Sequence, residues 1–119
     1  MPWAVLVVDD DPIFRSLARR MLLAEGLLVV GEAESVATAI AAAHELKPDA
    51  VLVDVGLPDG NGVALARELT ALPWRPRVVL TSSDPDATRA SDVRASGAGA
   101  FVAKDDLPKV ALERLLTTG

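Results

Sequence analysis

Acidic, hydroxyl and ammonium side chains recur in this sequence directly after short apolar runs. An aspartate triplet, Asp9–Asp11, follows the first run, and Asp54 follows a later one. Thr81 and Ser82 follow the next, and Lys104 follows the last. If these runs are parallel strands, their carboxyl ends share one edge of a sheet, where ligands bind in open α/β folds. The spacing therefore predicts one polar site assembled from four separate segments.

The aspartates suit a divalent cation. Two unit charges about 4 Å apart repel by roughly 4 kcal/mol at an effective dielectric of 20. If Asp54 approaches Asp9 and Asp10, the group must therefore take up a proton or bind a cation. Carboxylate oxygens without histidine or cysteine ligands select Mg²⁺, or Mn²⁺. Helix capping is the alternative for the triplet, and it accounts for Asp11 before Pro12 but not for Asp9 and Asp10.

Lys104 and Thr81 would complete an anion site beside the metal, because an ammonium and a hydroxyl next to Mg²⁺ suit a phosphoryl group. Asp54 would then be the nucleophile of phosphoryl transfer and would form an aspartyl-phosphate. The metal and Lys104 would neutralise charge on the transferring oxygens. Taken singly, these residues could be a solvated lysine and an ordinary strand end, but their joint placement with the aspartates favours the site.

Five β-α units are needed to position these residues. The apolar runs that predict strands are Trp3–Val8, Leu27–Val30, Ala50–Val53, Val78–Leu80 and Ala100–Ala103. The predicted helices are Pro12–Glu25, Val36–Leu46, Gly62–Ala71, Asp86–Ser96 and Leu107–Leu116. Strands that are apolar on both faces are typical of a parallel sheet covered by helices on both sides. The pattern therefore predicts an α/β fold with a doubly wound, five-stranded parallel sheet.

The fourth predicted helix differs from the others. Val93 is the only large apolar residue within Asp86–Ser96. A helix with so little to bury is held loosely, and loosely held elements are the ones that move. We therefore expect this helix to be an adaptable part of the fold.

Composition narrows the function further. The chain has 119 residues, of which 50% are hydrophobic, and a formal net charge of −5. This length fits a single domain, Met1–Gly119, and the acidic balance argues against direct nucleic-acid binding. The absence of cysteine excludes disulfides, thiolate metal sites and Cys nucleophiles. No apolar stretch approaches the ~20 residues of a membrane span and no targeting segment is visible, so we expect a cytoplasmic domain without membrane contact.

In these motifs the chain resembles the receiver domain of bacterial two-component response regulators. The resemblance rests on Val7–Asp11, Val53-Asp54 with Leu57–Gly60, Leu80–Ser82 and Phe101–Lys104, which follow the family's order across essentially the whole chain. It implies a flavodoxin-like fold with strand order 2-1-3-4-5. It also implies a phosphorylated signalling domain rather than an enzyme, with a phosphohistidine of a sensor histidine kinase as the phosphodonor.

The resemblance assigns roles in the metal and phosphoryl site. Asp54 matches the phosphoacceptor, Asp10 a direct metal ligand, and Asp9 a ligand that usually acts through water. Gly56 lies where the family uses a backbone carbonyl as a metal ligand. Lys104 matches the phosphate-binding lysine.

Further matches concern the signal. Thr81 matches the switch hydroxyl, Ser82 the adjoining small-residue position, and Phe101 the switch aromatic. Phosphorylation would draw Thr81 to the phosphoryl group and let Phe101 turn inward. The surface of the fourth helix, fifth strand and fifth helix would then change shape and signal to an effector domain or partner protein, for example in transcription regulation.

Several features depart from the family or leave alternatives open. Asp105 stands where the family usually has a proline after a cis peptide bond. In this variation the chain resembles receivers attached to LuxR-type helix-turn-helix domains. Whether the Lys104–Asp105 bond is cis or trans is left open. Small residues at Gly56 and Ser83 predict no unusually long phosphoryl lifetime. Homodimerisation through the switched surface, or through the first and fifth helices, is also open. Trp74 is either a core-edge aromatic or a partner contact.

A Mg²⁺-dependent phosphatase of the haloacid-dehalogenase type is the alternative function. Such enzymes also use an aspartate nucleophile with a Ser/Thr and a lysine on an α/β sheet, and Asp9–Asp11 contains the Asp-x-Asp spacing. The downstream hydrophobic-Thr pattern, the paired acidic motif near the C-terminus and a cap are missing from this sequence. The sequence therefore favours the receiver.

Overall fold

A computed structural model describes residues 2–117 as β-α units around one sheet. The main strands are β1 (Ala4–Val8), β2 (Leu28–Ala33), β3 (Ala50–Asp54), β4 (Arg77–Ser82) and β5 (Ala100–Ala103). The helices are α1 (Pro12–Ala24), α2 (Val36–Leu46), α3 (Gly62–Thr70), α4 (Ala90–Ser96) and α5 (Leu112–Thr117). Met1, Thr118 and Gly119, at the ends of the expected single domain, lie outside the described residues.

The five main strands are parallel and lie in the order β2-β1-β3-β4-β5. One hydrophobic cluster joins one face of the sheet to α2, α3 and α4, and a second joins the other face to α1 and α5. The predicted doubly wound, flavodoxin-like sheet is therefore confirmed. β2 runs on to Ala33, beyond its predicted end at Val30, and its exposed Leu28 and Glu32 are consistent with its place at the edge.

Local side chains explain where the first three helices begin. Asp11 accepts a hydrogen bond from the Ile13 N–H at 2.9 Å and caps α1, whose first residue is Pro12. Ser35 and Thr38 form a reciprocal capping box at α2, which has its predicted bounds. Gly56–Leu57 and Gly60–Asn61 form a minor antiparallel hairpin, and its last residue, Asn61, caps α3.

The predicted start of the fourth helix, Asp86, is wrong. The Asp84 carboxylate accepts from the Asp86 N–H at 2.9 Å, and Ser82 Oγ accepts from the Asp84 N–H at 3.1 Å. These side-chain bonds hold the segment in turns and compete with helical hydrogen bonds. α4 begins only at Ala90, after an extended Arg89 that offers no side-chain cap.

The predicted fifth helix, Leu107–Leu116, is also wrong in its first half. Lys104–Lys109 forms a 3₁₀ helix that contains Pro108, and the extended Val110 separates it from α5. Proline has no N–H to donate to an α-helical ladder, so the turn does not continue as one α-helix. Among residues 2–117, no helix combines the length and apolar character needed to cross a membrane.

Candidate functional site

Three carboxylates meet at the carboxyl edge of the sheet. Asp9 and Asp10 follow β1 and Asp54 ends β3, and one oxygen of each lies within 4.8 Å of the others. Asp9 is fully buried, Asp54 is 7% exposed, and Asp10 faces solvent. β1 and β3 are neighbouring strands in register. Residues far apart in sequence therefore share one small, negatively charged pocket.

Lys104 reaches this pocket from the end of β5. Its Nζ lies 2.7 Å from Asp9 Oδ2 and 4.0 Å from Asp54 Oδ1. The same ammonium lies 4.2 Å from the centre of the Phe14 ring on α1, a cation–π contact. One ammonium thus faces three carboxylates, so the pocket keeps a net negative charge.

The pocket fits a hard cation. Asp9 Oδ1 accepts from the Asp11 N–H at 2.9 Å, whereas the buried Asp9 Oδ2 has no well-aligned hydrogen bond among the described residues despite its ionic contact with Lys104. The Lys104 ammonium balances the charge of this oxygen, but one ammonium does not balance three neighbouring carboxylates, so the pocket favours a further cation. With Asp10 and Asp54 beside it, the donor set consists of carboxylate oxygens, which Mg²⁺ and Mn²⁺ prefer.

Asp54 is the electrostatically strained member of the group. Burial, and after it the charge of Asp9, raises the pKa of Asp54 to about 6, although Lys104 and the Gly56 N–H favour the carboxylate. Above that pH the side chain is ionised in a pocket that disfavours its charge. A cation or a positively charged group that relieves this repulsion therefore binds favourably. Gly56 itself is exposed, two residues beyond Asp54.

Thr81 and Ser82 end β4, the next strand along the sheet. Thr81 pairs in register with Asp54 and is fully buried. Its hydroxyl donates to the Val102 carbonyl of β5 at 2.7 Å, so it is committed to the neighbouring strand. Ser82 is also buried, and its hydroxyl accepts a hydrogen bond from the Asp84 N–H in the turn that leads to α4. The two hydroxyl residues thus lie at the same edge as the carboxylates.

Phe101 lies on β5, outside the carboxylate pocket. The ring is half-buried against the hydrophobic cluster that includes Val93 of α4. With Val93, Thr88 and Arg94 it lines a cavity of about 380 Å³ beneath α4. An aromatic side chain thus borders space that a movement of α4 would open or close.

Arg15 supports the site but was not singled out from the sequence. Its Nη1 donates to the Asp9 carbonyl at 2.6 Å, and its Nε donates to Glu32 Oε1 at 3.0 Å. Glu32 also accepts from Arg19, and the two guanidinium groups lower the pKa of Glu32 against the opposing effect of its burial. Arg15 therefore ties the loop that carries Asp9 and Asp10 to the end of β2. The sequence shows Arg15 and Arg19 one helical turn apart, which indicates a shared acceptor. It does not show that the acceptor is Glu32, because Glu32 lies on β2.

Gly62 is a second residue that sequence reasoning missed. A Cβ added to Gly62 would overlap the Asp54 carbonyl and lie 2.8 Å from Val55 Cα. The Gly62 N–H donates to the Val55 carbonyl at 2.8 Å, so α3 starts in direct contact with the end of β3. The glycine therefore lets α3 approach the backbone of Asp54.

The isomer of the Lys104–Asp105 peptide bond, for which the sequence allows cis or trans, is trans. Residues 2–117 contain no cis peptide bond.

The fold and the carboxylate-lysine pocket are those of a receiver-type signalling domain. A family model described as the response regulator receiver domain matches residues 5–116, and the chain belongs to that family. Family membership favours the receiver over the phosphatase alternative.

Known relatives agree with this assignment. The DNA-binding transcriptional activator DevR/DosR of Mycobacterium tuberculosis is 41% identical over 103 residues, which cover 85% of this chain and 47% of that protein. The chemotaxis protein CheY of Bacillus subtilis is 29% identical over 87% of both chains. A LuxR-family two-component response regulator from Aurantimonas has a TM-score of 0.87 at 28% identity, covering 98% of this chain and 86% of that one. The chain spans about half the length of the first curated relatives it matches. The LuxR-family description of the Aurantimonas structure agrees with the expected subfamily.

Proposed function

We propose that this chain is a Mg²⁺-dependent switch that accepts a phosphoryl group on Asp54 from a phosphohistidine of a sensor histidine kinase. The observation that carries the proposal is the pocket in which Asp9, Asp10 and Asp54 face Lys104. The proposed setting is the cytoplasm. The output is a contact with an effector domain or partner protein, with no catalytic output of the chain itself.

In the proposed transfer, an oxygen of Asp54 attacks the phosphorus and forms a P–O bond. The P–N bond of the phosphohistidine breaks, and its electron pair stays on the imidazole. Asp9, Asp10, Asp54 and the Gly56 carbonyl would hold Mg²⁺, or Mn²⁺, which supplies charge neutralisation at the transferring oxygens. Lys104, already 4.0 Å from Asp54 Oδ1, would take a second share of that charge.

The proposed signal begins at Thr81. Its hydroxyl would leave the Val102 carbonyl, 2.7 Å away, and donate to the phosphoryl group with Ser82 beside it. Release of this bond loosens the tie between β4 and β5. Phe101 would then turn into the space beneath α4, and the surface of α4, β5 and α5 would change. A homodimer formed through that surface is one way in which phosphorylation could be detected by an effector.

Two exposed apolar side chains of α1 follow the pocket residues Asp9 and Asp10 in sequence. Ile13 is 79% exposed and Leu17 is 43% exposed, one helical turn apart on α1 and directly after Asp11. Because the two residues are one turn apart, their side chains lie on the same face of α1 and form one small apolar patch, which supports a docking role. We propose that the phosphohistidine-bearing region of the kinase packs on Ile13 and Leu17.

Intact-mass spectrometry after incubation with Mg²⁺ and acetyl phosphate tests the phosphoacceptor. The wild type is expected to gain one phosphoryl group, Asp54→Asn none, and the exposed control Asp86→Asn the same as wild type. Labelling of Asp54→Asn would refute the assignment. Sustained turnover of p-nitrophenyl phosphate would instead support the phosphatase alternative. Because Gly56 and Ser83 are small, we also expect a phosphoryl half-life well short of many hours.

A panel of autophosphorylated sensor kinases tests the docking surface. The double variant Ile13→Ser with Leu17→Ser is expected to accept phosphoryl groups from its best kinase about tenfold more slowly, an effect of roughly 1.4 kcal/mol. Its labelling by acetyl phosphate is expected to stay unchanged. Leu23→Ser, 53% exposed near the far end of α1, is the matched control. Equal slowing of Leu23→Ser, or no slowing of the double variant, would refute this surface.

A further inference from the structure

A second cavity lies at the amino edge of the sheet, opposite the carboxylate pocket. It has a volume of about 630 Å³, within the range of small-molecule sites. Its walls include side chains that precede or begin three strands, together with the loop before β4: Trp3, Lys47, Asp49, Trp74, Arg75 and Arg77. None of these residues takes part in the proposed phosphoryl transfer.

The charge of this cavity is opposite to that of the chain. Lys47, Arg75 and Arg77 make no ion pair within residues 2–117. The one carboxylate in the lining, Asp49, accepts from the Ala4 N–H at 2.8 Å. The lining is therefore cationic in a chain of net charge −5. A concave cationic surface raises the local concentration of anions.

The cationic residues differ in how the structure holds them. Lys47 and Arg75, with φ of 45° and 46°, are the two non-glycine residues at positive φ within residues 2–117. Lys47 has this conformation as the C-cap that ends α2, and Arg75 lies in the loop before β4. The Arg77 guanidinium donates to the Leu115 carbonyl at 2.7 Å, so its position is fixed.

The apolar wall is rigid too. The Trp74 indole N–H donates to the Pro48 carbonyl at 3.1 Å, and the ring meets His44 edge-on at 6.3 Å. Lys47 Nζ lies 5.9 Å from the centre of the same ring. Trp3 stays 37% exposed in the same cavity. An indole with a cation beside it suits a ligand that combines a flat ring with a negative charge.

We propose that this cavity binds a small aromatic anion. Its ring would pack on Trp3 and Trp74, and its carboxylate or phosphate group would bind Lys47, Arg75 and Arg77. The site is independent of Asp54, so an unphosphorylated chain would also bind.

Nuclear magnetic resonance titration with 2-naphthoate tests the proposal, because both tryptophans of the chain line the cavity and give the only indole N–H signals. We expect saturable shifts of both indole signals and of the amides of Lys47, Arg75 and Arg77. The neutral 2-naphthamide and the ringless anion acetate are expected to bind at least about tenfold more weakly, roughly 1.4 kcal/mol or more.

Variants separate a specific site from general charge. Lys47→Glu with Arg75→Glu is expected to weaken naphthoate binding at least about tenfold, and Arg75→Gln alone tests the site if the double variant does not fold. Arg20→Glu with Arg94→Glu, on exposed positions of α1 and α4, makes the same charge change elsewhere and is expected to bind like wild type. Equal binding of naphthamide, unmoved indole signals, or equal loss in the control would overturn the proposal.

Discussion

β3 is buried at each of its five residues, whereas each of the four residues of β5 is only partly buried. Two of the helices, α1 and α4, differ in the same way. α1 has 13 residues, is capped by Asp11 and buries Phe14, Ala18 and Leu22. α4 has seven residues, no side-chain cap, and buries only Val93 and Ser96.

This contrast separates chemistry from response. The carboxylates belong to the tightly packed half, so their mutual geometry is fixed before any ligand arrives. Phe101 and α4 belong to the loosely packed half, where a change of conformation costs less free energy. The hydrogen bond from Thr81 to Val102 joins the two halves. A phosphoryl group that competes for Thr81 would act at that junction.

The backbone contact at Gly62 gives the strongest test of the packed half. Gly62→Ala forces a methyl group onto the Asp54 carbonyl, so we expect a loss of about 3 kcal/mol in the free energy of unfolding and no labelling by acetyl phosphate. Urea unfolding and intact mass measure both effects. Gly60→Ala is the control, because its added Cβ meets only a Val36 methyl group at 3.1 Å. A normal unfolding midpoint with full labelling of Gly62→Ala would show that the backbone around Asp54 adjusts to the added methyl group, contrary to this prediction.

The charge on Asp54 should itself reduce stability. Because the folded pKa of Asp54 is raised to about 6, above its ordinary 3.8, the native state binds more protons than the unfolded state between those values. The penalty is complete above about pH 6 and vanishes as the pH falls below the ordinary value. Without Mg²⁺, Asp54→Asn should therefore be about 3 kcal/mol more stable than wild type at pH 8, with the gain lost near pH 3.5. A gain that does not change with pH would point to a cause other than this charge.

The hydrogen bonds of Arg15 to the Asp9 carbonyl and to Glu32 predict a smaller effect, on metal binding in the tightly packed half. Without its guanidinium, the Asp9 carbonyl loses its tie to Glu32, and we expect Mg²⁺ affinity to fall about tenfold in Arg15→Ala. Isothermal titration calorimetry measures this directly. Arg19→Ala is the matched control, because Arg19 contacts Glu32 but not the Asp9 loop. Equal loss in both variants would assign the effect to Glu32 or to surface charge rather than to the loop.

These supporting residues mark the limit of what the sequence could predict. Apolar runs on both faces predict buried parallel strands, and strand ends then bring Asp9 and Asp54 to one edge. The Arg15–Glu32 contact depends on which neighbouring element lies within reach of a long side chain. The start of α5 is likewise set from a distance, because the Glu113 N–H donates to a carboxylate oxygen of Glu25 on α1's end. Such contacts join residues far apart in sequence, so local sequence patterns do not predict them.

The smallest effect tests the junction between the halves. Thr81→Val keeps the shape of the side chain but removes the hydroxyl, so Asp54 should still be labelled by acetyl phosphate. Hydrogen exchange should show α4 amides less protected than those of α1 in both proteins, because α4 buries so little. Phosphorylation should change α4 and β5 exchange several-fold in wild type and hardly at all in Thr81→Val, while Thr81→Ser keeps the response. A full response in Thr81→Val would mean that the loose half detects phosphorylation by another route, with Lys104 as the remaining link between Asp54 and β5.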